Sequence, residues 1–198
     1  MTTHTLDKNN HHGGLDAKVI FGFWVFIVTD CIMFSGLFST YAVLSHSTFG
    51  NIGVAQTASL PFVLVQTLLF LTSVLTLGFG VAASTRGNFN QTMLWLVITF
   101  ALGAIFLSMG YHQLANLYTH GHTWRDSAFL SAYFTVIGLQ GLHVLIGLLW
   151  LAILLIQLPL QKLSDTMRTR LCCFGLFWDF LAMLWLLIFA IVYLMGAI

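Results

Sequence analysis

Five apolar stretches constrain this chain more than any other feature. They lie near Val19–Leu44, Leu60–Ala83, Met93–Leu117, Ala128–Gln157 and Leu171–Ala197. Each is long enough to cross a bilayer, which takes roughly 20 apolar residues. The strict alternation of a β-barrel strand is absent from them, so helices must satisfy the backbone in lipid. The expected fold is all-α: a polytopic membrane protein built as a bundle of five transmembrane helices. Composition agrees. Of 198 residues, 59% are hydrophobic and only 7% charged, against about 25% charged in a soluble domain. Such a chain lacks the charge to cover a water-facing surface.

The punctuation fits these spans. Pro61 falls in the first turn of the second, where its missing N–H costs nothing, with Ser59 placed to cap it. Pro159 is expected to close the fourth, because the residue before a proline avoids helix. Lys8, Lys18, Arg86, Lys162, Arg168 and Arg170 fall on one side of the membrane and Arg125 on the other. The positive side faces the cytoplasm. This places the N-terminus inside and the C-terminus in the periplasm.

Residues 1–17 are polar and are expected to form a disordered cytoplasmic tail, leaving 18–198 as the five-helix transmembrane domain. His4, His11 and His12 read as solvated tail residues rather than metal ligands. Cys31, Cys172 and Cys173 form no C-x-x-C pair, which excludes the common zinc and thioredoxin-like patterns. Asn116, His120, His122 and Trp124 read as the interfacial belt. Nothing in the chain suggests a nucleic-acid partner.

Polar residues inside the spans are the candidates for function, since they are costly there and face protein or water. Counting ~1.5 Å per residue from the cytoplasmic ends puts Asp179 at about 12 Å and Asp30 at about 16 Å. His143 follows at about 21 Å, Gln66 and Gln140 at about 25 Å, and His112 at about 28 Å. Gly175 and Ala182 share a helical face with Asp179, so that acid is expected to meet a closely packed helix of this chain or of a partner. Asp30 has Phe26 and Phe34 beside it, with Gly36 and Ser39 marking a closer contact further along. Gly138, Gly141 and Gly147 suggest a tight seam along the fourth span.

Three functions compete on these residues. A transporter or proton pathway would use Asp30 and Asp179, but such pathways string titratable groups across the whole bilayer. A small membrane cytochrome would use His112 and His143, yet their depths differ by about 7 Å. The third reading is structural: acids, amides and His143 joining helices within a larger assembly. It is preferred, and it predicts no catalytic residue, metal ligand or cofactor in the chain.

Several stretches then carry a family resemblance: "KVIFGFWVFIVTDCIMFSGLFSTYAVL" (18–44), "LPFVLVQTLLFLTSV" (60–74), "SAFLSAYFTVIGLQGLHVLIGLLW" (127–150) and "FWDFLAMLWLLIFAIVYLMGAI" (177–198). They resemble subunit three of the haem-copper respiratory oxidases, most closely the bo-type ubiquinol oxidase branch. The resemblance implies an accessory subunit in a bacterial inner membrane. Haems and copper would sit in the partner subunit I, with subunits II and IV in the same complex and phospholipids bound. It also implies structural or lipid-contact roles for Asp30 and His143. Two positions depart from the family pattern, which usually reads glutamate at 66 and histidine at 140. Their equal depth suggests a Gln66–Gln140 hydrogen bond in place of an acid–base contact. The family also tends to read histidine at 179 and aspartate at 182, so Asp179 looks like a carboxylate displaced by one turn.

Overall fold

The computed structural model describes residues 3–44, 60–119, 127–161 and 164–194. Within them the chain is helical, with five helices long and apolar enough to span a membrane and no strand. These are α1 (Thr3–Leu44), α2 (Leu60–Thr85), α3 (Phe89–Thr119), α4 (Ala128–Gln161) and α5 (Asp165–Ile188). Helix α5 runs on into a π-helix, Phe189–Leu194. The chain divides into two compact units, Met1–Ser35 and Gly36–Ile198.

The first unit is the greater part of α1. The helix takes in most of residues 1–17, where the sequence predicts an unstructured tail. Extending an existing helix needs no new nucleus, which is the costly step. Asp30 is buried and Cys31 is exposed.

In the second unit, α2 to α5 form a ring. Helix α2 packs on α3 and α5, and α4 packs on α3 and α5. Gly87 makes the sharp connection from α2 to α3 with φ of +77°, a conformation that glycine adopts without steric cost. Its N–H donates to the Ser84 carbonyl at 3.1 Å, and that of Asn88 to the Ala83 carbonyl at 3.2 Å. This is a Schellman stop. Side-chain caps start the next helices: the Leu130 N–H donates to Ser127 Oγ, and the Met167 N–H to Ser164 Oγ. Ser59 lies outside the described residues. Pro159 does not close α4 but sits in its last turn. Arg170 ties α5 back to α4 there, through a 2.8 Å bond to Gln157 Oε1.

The ring buries hydroxyls among large apolar side chains and turns apolar residues outward as well. Ser73, Thr76, Thr92 and Thr99 are buried, while Leu64, Leu68, Leu75, Leu145 and Leu149 are exposed. That is the arrangement lipid requires, since helices in a bilayer gain little by hiding leucine and more by close packing and hydrogen bonds. Thr76 and Thr99 bring their hydroxyls within 2.9 Å across the α2–α3 contact. Gly80 keeps that contact close, because an added Cβ would stand 3.3 Å from Trp95 Cβ.

One indole organises the centre. Trp178 of α5 is fully buried and donates from Nε1 to Ser73 Oγ of α2. Its ring edge fills the space beside Gly103 of α3 and Gly147 of α4, where an added Cβ would come within 2.9 Å of it in each case. Phe70, stacked on Phe106 at 4.3 Å, closes the indole's edge. A single side chain of α5 therefore touches each other helix of the ring.

Candidate functional site

One cavity in the second unit gathers two of the sequence candidates. It has a volume of about 560 Å³ and is lined from α2, α3, α4 and α5. Gln66 and Gln140 form part of its wall, and each is 1% exposed. The remaining wall is mainly aliphatic and aromatic, including Phe106, Leu114, Ile137 and Trp185. Gly138 and Gly141 leave it room. Nothing lies within 4 Å of a Cβ added at Gly138, and at Gly141 only Leu107 comes near, at 3.9 Å. Of the three glycines expected to form a tight seam, only Gly147 does so. The other two open a cavity, because lacking a side chain admits a neighbour only where one is aimed at the gap.

The two glutamines do not hydrogen-bond each other. Gln66 Nε2 donates to the Phe106 carbonyl of α3 at 3.5 Å, and Gln140 Nε2 to the Leu181 carbonyl of α5 at 3.0 Å. Each carboxamide gives one N–H to a neighbouring helix, and Gly110 leaves Gln66 the space to do so. Equal depth was a poor guide because rotation about the helix axis, not height, selects the partner. The consequence is chemical. Gln66 Oε1 and Gln140 Oε1 are both buried without a donor among the described residues. Leaving such an acceptor unmatched costs about 1–3 kcal/mol. Turning either amide over would set oxygen against a carbonyl oxygen, so the acceptors are held where they are.

A second polar cluster lies where α3, α4 and the π-helix meet. Gln113 Nε2 donates to Tyr133 Oη at 2.6 Å and to Tyr193 Oη at 2.8 Å, and the two phenols are 2.9 Å apart. All three residues are buried. Tyr41 packs against Phe129 nearby in sequence to this cluster's Tyr133. Sequence reasoning weighed the amides Gln66 and Gln140 at depth but passed over Gln113 and the two tyrosines. The same cost argument would have found Gln113, which stands beside His112 in an apolar span. Tyr193 of this cluster lies in the π-helix, and such wide turns recur at functional positions.

The remaining candidates fall as follows. Asp179 is exposed, and it borders a groove with Leu77, Gly78 and Val81 of α2 and Cys172, Gly175 and Leu176 of α5. The groove is open: nothing lies within 4 Å of a Cβ added at Gly78. The shared face with Gly175 therefore does not enclose this acid within the chain, although Ala182 on the same side is buried. His143 is part-buried, with Nδ1 2.8 Å from the Leu139 carbonyl of its own helix. His112 is exposed. Gly36 and Ser39 are exposed rather than in close contact. His120, His122 and Trp124 lie outside the described residues. Among the described residues, no group of three or more His, Cys, Asp or Glu is placed to hold a metal ion.

Five long apolar helices, four of them tied into a ring by side-chain hydrogen bonds, define a multi-pass helical membrane protein. Comparison with known sequences narrows that class. The family described as "Cytochrome c oxidase subunit III" matches residues 2–197, and the chain belongs to that family. It is 40% identical over 195 residues to the cytochrome bo(3) ubiquinol oxidase subunit 3 of Pseudomonas aeruginosa, covering 98% of this chain and 92% of that one. The corresponding subunit of Buchnera aphidicola subsp. Acyrthosiphon pisum is 35% identical, with 97% and 94% covered. The quinol oxidase subunit 3 of Bacillus subtilis is 34% identical, with 89% and 87% covered.

Proposed function

We propose that the chain is the accessory, non-redox subunit III of a bo-type ubiquinol oxidase in a bacterial inner membrane. In that complex quinol oxidation drives oxygen reduction to water and proton pumping. The haems and copper belong to subunit I, against which this chain packs, with subunits II and IV alongside. The N-terminus faces the cytoplasm, in keeping with the distribution of Lys and Arg. Names of the relatives support the quinol-oxidising branch. The use of polar groups supports the accessory role: hydroxyls, indoles and carboxamides in the ring bond helix to helix.

The observation that carries the reading is Asp179. The span begins at Thr166, earlier than the Leu171 expected from sequence, and ends at Leu194, so Asp179 lies about 20 Å along it rather than about 12 Å at 1.5 Å per residue. Thus a carboxyl stands near mid-span on the outside of its own chain. Ionisable groups there cost about 2.5–3.5 kcal/mol unless protein covers them. The open groove beside Gly78 and Gly175 admits a neighbouring helix closely. Subunit I is the occupant this reading assigns, with phospholipid filling the grooves that remain.

The test is copurification. Affinity-tagged chain brings the haem-copper polypeptide with it in detergent, and Asp179→Asn lowers the yield of that complex. Initial turnover per assembled complex stays nearly unchanged. Loss of proton pumping in fully assembled Asp179→Asn complexes would instead favour a pathway through this acid. Isolation of the tagged chain alone, with solute flux in vesicles, would remove the subunit reading.

A further inference from the structure

We infer that Asp179 is one half of an ion pair, completed by a Lys or Arg on a single transmembrane helix of the partner subunit. The inference rests on the proposed place in the oxidase and deepens it, by stating what the occupant of the α2–α5 groove must present.

The shape of the exposed face selects a helix. From Cys172 to Leu187, α5 is buried except along one narrow stripe. Cys172, Leu176, Asp179, Met183 and Leu186 run down its line. Their steps of four, three, four and three residues are those of the 3.5-residue seam between two helices in a left-handed pair. Asp179 is the midpoint of that line. Gly78 and Gly175 keep the groove beside it shallow-walled: no atom lies within 4 Å of a Cβ added at Gly78, and at Gly175 only Val81 comes near, at 3.9 Å. The hollow holds about 210 Å³, less than the roughly 300–1,000 Å³ of pockets that take small molecules. It suits the ridge of a helix rather than a separate ligand.

Depth selects the charge. Asp179 stands about 20 Å from both ends of its 29-residue span. Lipid headgroups lie outside a hydrocarbon core roughly 30 Å thick, so none reaches it. The chain does not supply a counter-charge either. Arg170 is bonded to Gln157, and Arg168 lies about 16 Å back along the helix axis. Among the described residues none hydrogen-bonds the Asp179 carboxyl, and Cys172 is the one other ionisable group lining the groove. Ionisable groups within spans pair with one another. A hydroxyl or amide from the partner would leave the carboxylate's charge uncompensated; a basic side chain removes it.

The pair also sets register. An acid at the centre of an otherwise apolar seam meets its cation at one height only, as a buried polar residue fixes register in a coiled coil. The chain is thereby matched to a partner that carries a base at that depth, and partners without one are rejected.

The test uses the whole complex, captured through a tag on the haem-copper polypeptide and washed with increasing detergent. Asp179→Glu keeps the charge, Asp179→Asn keeps size and hydrogen bonding, and Asp179→Lys reverses the charge. After the wash, Asp179→Glu should retain this chain nearly as wild type does, Asp179→Asn roughly tenfold less, and Asp179→Lys least. The infrared difference between wild-type and Asp179→Asn complexes should carry the stretch of an ionised carboxylate. Equal retention of wild type and Asp179→Asn would overturn the inference, leaving a neutral hydrogen bond or bare packing. A protonated carboxyl band in the difference spectrum would overturn it too. So would a lower melting temperature of Asp179→Asn chain on its own, which would place the acid's partner within this chain. Were the wild-type chain itself absent from the captured complex, the subunit reading would fall and the ion pair with it; wild-type capture with any of the other three results removes the ion pair alone.

Discussion

Trp178 Nε1 donates to Ser73 Oγ at 3.0 Å, and that hydroxyl in turn donates to the Phe70 carbonyl at 2.6 Å. The serine thus acts in both directions, closing its own helix and receiving another. Trp185 and Thr67 repeat the device two turns away: the indole N–H reaches Thr67 Oγ1 at 3.0 Å while the threonine donates to the Val63 carbonyl at 2.8 Å. Two indoles of α5 are hung on two hydroxyls of α2, and this ladder sets the register between the helices.

Ser73→Ala should leave the indole N–H of Trp178 buried without an acceptor. The expected loss is about 1–3 kcal/mol, read as a lower melting temperature of the purified chain in detergent. Trp178→Phe combined with Ser73→Ala removes both partners. If the pair is coupled as the geometry indicates, the double variant loses less than the sum of the two single ones.

Gly147→Ala and Gly103→Ala should each destabilise by about 1–3 kcal/mol through overpacking, because the new methyl would press on the rigid indole at 2.9 Å. Gly78→Ala, with open space around it, is the control and should leave the melting temperature of the chain unchanged. A loss at Gly78 equal to that at Gly147 would refute this account of the glycines.

Tyr193→Phe should loosen the end of α5. It deletes one phenol from the Gln113–Tyr133–Tyr193 cluster and leaves a bond between Gln113 and Tyr133. The expected cost is about 1 kcal/mol. Amide hydrogen exchange should quicken over Phe189–Leu194 and stay unchanged in α2, since opening is local to the weakened element.

Asp179→Leu separates the chain from the assembly. The side chain is exposed in the chain and borders an open groove. The melting of the isolated chain should therefore move by no more than about 0.5 kcal/mol, while the yield of complex falls. A large loss of stability in the isolated chain would mean that the acid is bonded within it.

What the sequence determined was the solvent and the number of crossings. Runs of apolar residues with almost no charge leave lipid as the only compatible medium, and lipid allows only structures that satisfy their own backbone. Helix, span count and the isolated polar positions follow from that, as does the family through the stretches around Asp30, His143 and Asp179. The faces were not legible. In water the apolar side of a helix is the inside; in a bilayer apolar residues suit both sides, so periodicity no longer says which way a helix turns. Tertiary structure alone decided that Gly147 would grip Trp178 while Gly138 opened a cavity. It alone turned Gln66 toward Phe106 and Gln140 toward Leu181, leaving two oxygens unmatched, and left Asp179 on the outside. The cause is one of geometry: depth along a helix is a count of residues, but the partner of a side chain depends on rotation, which only neighbouring helices set.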